Sequence, residues 1–112
     1  MTLRLGEVVL IRMQFHEATG AKVRPAVVLL DTGDSDFVAA PVTSQARNSE
    51  FDLTIGEWRA AGLNVASSIR IHKLTVLAKS DIVRSLGTLP EPDRVSLVGL
   101  LCRAFCPQPG RK

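Results

Sequence analysis

Residues 22–45, KVRPAVVLLDTGDSDFVAAPVTSQ, constrain the fold of this chain more than any other stretch. Two apolar runs, 23–30 and 37–42, flank a polar segment, Asp31-Thr32-Gly33-Asp34-Ser35-Asp36. β-Branched residues in the runs and Gly and Asp between them predict a β-hairpin. In an antiparallel pair the start of one strand lies beside the end of the next. Arg24, just before Pro25, and the cluster Thr43-Ser44-Gln45 are therefore expected at the same edge of the sheet. A guanidinium beside two hydroxyls makes a candidate anion site.

The flanking sequence reads as more strand. Residues 6–15 form a nearly continuous apolar run, with either Val8 and Leu10 or Val9 and Ile11 facing inward; such a strand is buried on much of both faces. Glu7 stands at its start. Residues 16–22, HEATGAK, form a polar loop carrying His16 and Lys22, and 45–52, QARNSEFD, form a second that adds Arg47 beside Thr43 and Ser44. Pro25 and Pro41 imply strand edges or a bulge. A short strand is expected at 53–55, then a helical turn at 56–62 capped by Gly62, with Trp58 packing as a lid. Residues 67–74, SSIRIHKL, alternate as a half-exposed strand with Ser68, Arg70 and His72 in a row on its polar face.

The last element is a helix over 90–106. Pro90 and Pro92 suit its first turn, and Glu91 and Asp93 suit the positive end of its dipole. Val95, Val98, Leu101, Cys102 and Phe105 form its apolar stripe, widened by Leu97 and Leu100. So broad a surface is expected to touch both its own sheet and a second chain. Pro107 stops the helix and leaves a tail over 107–112.

A length of 112 residues with 46% hydrophobic content is expected to form one domain over 1–106 and to fill a modest core. The formal charge of +3 is compatible with an anionic partner without demanding one. Cys102 and Cys106, one helical turn apart, are expected to be reduced and partly buried thiols rather than a disulfide. His16 and His72 lie far from them in sequence, so no metal site is expected. Arg4, Glu7 and Arg12 interrupt the first apolar run, and no segment has the apolar length of a membrane span, so a cytoplasmic location is expected.

Taken in order, GEVVL (6–10), VRPAVVL (23–29), PVTSQ (41–45), WRAAGL (58–63), SSIRIHKL (67–74) and GTLPEPD (87–93) resemble the MazF/PemK-like toxin family over nearly the whole chain. The resemblance implies a mainly β fold with a C-terminal helix: a compact SH3-like barrel of twisted antiparallel strands, usually homodimeric. It implies a toxin of a type II toxin–antitoxin system, a metal-independent endoribonuclease that cuts single-stranded RNA and is blocked by a cognate antitoxin; no cofactor is implied. Carried over by position, Arg24 is a catalytic residue, Thr43 and Ser44 are the phosphate-contacting pair, Glu7 is an acidic position near the site, and Arg70 is a strand arginine used on the scissile phosphate. Where many members carry an aspartate two residues after that arginine, this chain has His72.

Cleavage by the substrate's own 2′-hydroxyl leaves three tasks to the protein: accept the 2′ proton, stabilise charge on phosphorus, and protonate the leaving 5′ oxygen. Arg24 and Arg70 suit the second, with Thr43 beside them. His72 suits proton transfer near neutral pH, with His16 as a second candidate. The catalytic set is thus Arg24, Thr43, Arg70 and His72, and the RNA-contacting set Glu7, His16, Lys22, Ser44, Gln45, Arg47 and Ser68. Two rival readings stand beside it. One is a non-catalytic toxin that inhibits DNA gyrase through residues near the helix end, such as Phe105. The other is an inactive relative that binds RNA or antitoxin.

Overall fold

Among the described residues every strand pairs antiparallel, and the central ones are buried on both faces. The computed structural model describes residues 2–14, 21–45 and 48–106. The strands are β1 (Glu7–Gln14), β2 (Ala21–Asp31), β3 (Asp36–Thr43), β4 (Asp52–Thr54), β5 (Ser68–Arg70), β6 (Thr75–Ala78) and β7 (Ile82–Thr88), followed by helix α1 (Glu91–Phe105). Their order is β4-β5-β3-β2-β1-β7, with β6 also paired to β3. The fold class is as expected, but the sheet does not close into a ring: β4 and β7 are its free ends.

Strand alternation sorts the core into two clusters. Val9 and Ile11, with their cross-strand neighbours Ala26 and Val28 and then Ala39 and Phe37, form one. Val8, Val27, Ala40, Val42 and Ile69 point the other way and join Leu97 and Leu100 of α1 in the second. Of the two alternatives for β1, Val9 and Ile11 are both buried, and Val8 of the other set is buried too, while Leu10 is only partly so.

The prolines lie in interior strands, not at edges. Pro25 pairs with Leu10, and Pro41 with Ala26. Each sits where a ladder changes partner. The β2–β3 pairing ends at Ala26↔Pro41, and β3 pairs with β6 as far as Ala39 and with β5 from Val42. A residue without an N–H is tolerated where no ladder bond is asked of it. This handover of β3 from β6 to β5 is also what carries Thr43 alongside β5.

Three further expectations are corrected. The strand over 67–74 stops at Arg70, and Ile71–Lys73 form a 3-10 turn closed by Leu74 N–H donating to Ile71 O at 3.3 Å. The helix is rotated relative to the expected stripe: Leu97 and Leu100 are buried, whereas Val95, Val98, Cys102 and Phe105 are exposed. The cause is Asp93, a buried acid on the first turn that accepts 2.9 Å hydrogen bonds from the N–H groups of Gly56 and Glu57. With Asp93 turned inward, the positions four and seven residues later follow it inward. The same rotation leaves both free cysteines exposed rather than partly buried.

Residues 57–63 make the expected capped turn. Gly62, at φ +91°, donates to Arg59 O, and Leu63 donates to Trp58 O, a Schellman closure. A Cβ at Gly62 would stand 2.1 Å from Leu86 O, so only glycine lets this turn lie against β7. Trp58 packs partly buried against the larger core, with the Arg59 guanidinium 4.8 Å from its ring centroid. Among the described residues no helix is long and apolar enough to cross a membrane.

Candidate active site

The β2–β3 register decides which side chains share the open end of the hairpin. Ala26 pairs with Pro41, the last pair of the β2–β3 ladder, and Arg24 and Thr43 each stand two residues beyond that pair. Thr43 in turn pairs with Ser68, and Ser68 with Thr54. Paired residues point to the same face. Thr43, Ser68 and Thr54 thus form one cross-strand row, with Arg70 on the same face two residues from Ser68, and Arg24 and Lys22 lie just past the end of the β2–β3 ladder that leads into it. Lys22, Arg24, Ser44 and Gln45 are exposed, Thr43 is half-buried, and Ser68 is buried. The Thr43 hydroxyl oxygen accepts the Gln45 N–H at 3.1 Å, leaving its O–H to donate outward.

Arg70 is held from an unexpected direction. Its Nε donates to Asp52 Oδ1 at 3.0 Å, and the Asp52 side chain is only 1% exposed. Asp52 Oδ2 accepts from the Ser49 hydroxyl at 2.8 Å and the Ser49 N–H at 3.2 Å. Burial acts to raise the Asp52 pKa; the Ser49 hydroxyl and the Arg70 guanidinium outweigh it and hold the carboxyl below its ordinary value. Arg70 Nη2 lies 3.3 Å from His72 Nε2. Because a guanidinium keeps its protons, Nε2 is the acceptor, which assigns the neutral ring's proton to Nδ1. The ring of Phe51 lies 5.7 Å from that of His72.

Glu7 is not brought to this cluster. On β1 it stands four residues from Ile11, the partner of Arg24, which is about 13 Å of strand. Its carboxylate accepts the Arg4 N–H at 2.8 Å. His16 and Arg47 lie outside the described residues. Among the described residues, no group of three or more His, Cys, Asp and Glu is placed to hold a metal ion.

Sequence reasoning missed Asp52, which it assigned to a polar loop. An acid starting one short strand and an arginine ending its partner are a detectable signal only once β4 and β5 are known to pair.

A groove of about 500 Å3 opens on the opposite face of the same strand ends, between Leu10, Pro25, Ser44, Ser67 and Arg84 and the loop 62–65.

The chain resembles several solved structures. It matches the Mycobacterium tuberculosis toxin MazF-mt6 at 18% identity and a TM-score of 0.73, over 88% of this chain and 95% of that one. It matches an endoribonuclease in complex with its cognate antitoxin from a mycobacterial species at 16% identity and 0.74, over 96% and 100%. It matches MazF in a MazE–MazF crystal structure from Deinococcus radiodurans at 23% and 0.71, over 90% and 94%. At these identities the likeness speaks for the fold. No curated protein matches the sequence. The family profile described as PemK-like, MazF-like toxin of type II toxin–antitoxin system matches residues 4–105, nearly the whole length, and the chain belongs to that family.

Proposed function

We propose that this toxin is an endoribonuclease that cuts single-stranded RNA without a metal, at the face that carries Arg24, Thr43 and Arg70. The observation that supports the reading is that Thr43 pairs with Ser68, two residues from Arg70, while Arg24 and Thr43 each stand two residues past the last β2–β3 pair, Ala26 with Pro41. A phosphate seated there meets two guanidinium groups and the outward O–H of Thr43. These donors stabilise the charge that builds on phosphorus. The 2′ oxygen bonds to phosphorus while the bond to the 5′ oxygen breaks, and the leaving 5′ oxygen takes a proton from solvent water, leaving a cyclic phosphate and a free 5′-hydroxyl. His72 takes the 2′ proton after phosphate pairing draws Arg70 Nη2 away from its ring. The carboxylate beside Arg70 comes from Asp52 on the neighbouring strand, where many family members carry the acid two residues after the arginine.

Lys22, Ser44 and Gln45 border this row and are assigned to RNA contact, with His16 and Arg47 from the two loops. The exposed stripe Val95, Val98, Cys102 and Phe105 supports a homodimer, and the family supports a cognate antitoxin and a cytoplasmic site of action.

Substituting deoxyribose at the nucleotide 5′ to the cut abolishes cleavage on this mechanism; efficient cutting of that substrate rejects it. One observation favours a second reading, a gyrase inhibitor: Phe105, 57% exposed near the helix end. Inducing the toxin and following messenger RNA against DNA supercoiling separates the two. Early loss of supercoiling with intact messenger RNA selects the gyrase reading.

A further inference from the structure

The groove on the far side of the strand ends is built from the immediate neighbours of the active-site row. Pro25 follows Arg24, Ser44 follows Thr43, and Ser67 precedes Ser68. Strand alternation turns each of these neighbours to the opposite face. The groove and the row are therefore two faces of the same three strand ends, and they meet where β3 stops and β5 begins.

The walls are fixed. Gly62 is locked against β7 by its contact geometry with Leu86 O. The buried Ser67 donates its hydroxyl to Val65 O at 2.8 Å, which shapes the loop that presents Asn64. Half of the lining is apolar, from Leu10, Pro25 and the loop. The other half offers the Ser44 hydroxyl, the Asn64 amide and the Arg84 guanidinium.

Arg84 is an exposed arginine at the rim of the groove. Arg70 and Lys79 are held by Asp52 and Asp31, and Arg94 donates to Leu89 O at 2.9 Å. Among the described residues, Arg84 makes no ion pair. Arg12, two residues past Leu10 on the same face, is exposed beside it. A preformed cleft with apolar walls, one amide and a guanidinium has the recognition chemistry of a single nucleotide: apolar contact for the base, an amide for its edge, a cation for its phosphate.

We infer that this groove binds a nucleotide of the RNA strand flanking the scissile phosphate, with Asn64 reading the base edge and Arg84 holding the phosphate. This rests on the nuclease reading only for the word flanking; the groove's affinity for single-stranded RNA can be measured without any cleavage.

The test has two arms. In the first, wild type, Asn64→Ala and Arg84→Gln cleave a random-sequence RNA pool and the new ends are sequenced. Asn64→Ala is expected to flatten the base preference at one flanking position by about tenfold. Arg84→Gln is expected to raise KM about fivefold at every sequence and to make the salt dependence shallower by about 0.7 in log–log slope. Unchanged preference and KM in both variants overturn the proposal.

In the second arm, labelled wild-type protein is titrated with a 2′-O-methyl RNA decamer of random sequence, which lacks the attacking hydroxyl. The Asn64 side-chain amide and the Val65 methyl signals are expected to shift. If they shift while the protein cleaves no RNA, the groove stands and the nuclease reading falls. If the protein cleaves RNA and they stay still, the groove is overturned alone. Shifts with an acidic peptide but not with the decamer overturn it in favour of a protein segment.

Discussion

The two ends of the β2–β3 hairpin carry similar chemical groups and use them in opposite ways. At the turn end, Asp31 accepts from Leu3 N–H at 2.7 Å, Gly33 N–H at 2.8 Å and Lys79 Nζ at 2.8 Å. Cation and acid are spent on each other and on the backbone, and the turn is closed. At the open end, Lys22 and Arg24 are exposed, and Thr43 keeps its O–H directed outward. Arg70 is tied to an acid there, and the tie orients it without covering it: its side chain is 22% exposed against 1% for Asp52. The same ion-pair chemistry is structural at one end and preparatory at the other.

The largest expected effect follows from that contrast. Arg24→Ala removes an exposed group that, on the proposed mechanism, stabilises phosphorus charge. RNA cleavage should fall by about 10²–10³-fold, while the melting temperature stays within about 2 °C of wild type. A large loss of stability with cleavage retained would place Arg24 with the structural end of the hairpin.

Asp52→Asn cuts across the comparison, because Asp52 is buried yet serves the open end. Losing the charge weakens its bonds from Arg70 and Ser49, at a cost of about 2 kcal/mol of stability. Cleavage should fall as well, since Arg70 loses its fixed direction, and Asp52→Glu should recover part of the activity. A urea titration beside single-turnover kinetics measures both. Stability loss with unchanged kinetics would make the Asp52–Arg70 pair no different in kind from Asp31–Lys79.

These two residues also mark how far the sequence could be read. The β2–β3 hairpin was legible because its turn and flanking apolar runs are local, although a bulge between Val28 and Leu30 shifts its register on the way to the open end. Asp52 and Arg70 lie 18 residues apart across an irregular connection, so nothing local joins them. The rotation of α1 was illegible for the same reason. Its outward and inward stripes are both apolar, and the choice is made by Asp93 binding N–H groups 36 and 37 residues away. Helix periodicity predicts that a stripe exists, not which of two comparable stripes a distant contact selects. The 3-10 turn at Ile71–Lys73 ends the alternating pattern where β5 runs out of partner: Ile71 N–H still donates to Phe51 O at 3.1 Å, in register with Asp52 and Arg70, and Leu74 N–H then turns back to Ile71 O.

Both ends should lose stability in acid, the closed end through Asp31 and Asp34 and the open end through Asp52. Lys79 first, then the Leu3 and Gly33 N–H groups, hold the Asp31 carboxyl far below its ordinary range; Thr32 and the Asp36 N–H lower that of Asp34. A carboxylate whose folded pKa is depressed adds stability above its unfolded pKa of about 4 and loses it as pH falls through the folded value. Asp31, Asp34 and Asp52 share this sign. Melting temperature should be flat above about pH 5 and fall steadily below about pH 4. Asp31→Asn should lower the plateau and flatten the acid decline. An unchanged acid slope in that variant would show that Lys79 and the N-terminal segment do not favour the charged form.

The smallest expected effect lies within the turn. The Thr32 hydroxyl donates to Asp34 Oδ1 at 2.6 Å, and the same oxygen accepts the Asp36 N–H at 3.0 Å. All of these groups reach solvent, so water replaces the lost hydroxyl in Thr32→Ala, and the cost should be about 0.5 kcal/mol. Cleavage should not change, because the turn lies a full hairpin's length from Arg24: seven residues from Asp31, or about 23 Å of strand. Thermal melting and cleavage rates measured on the same preparation test both halves. A kinetic effect from so mild a change at so great a distance would mean that the closed end sets the geometry of the open one. The two ends would then act as one device rather than as a support and a site.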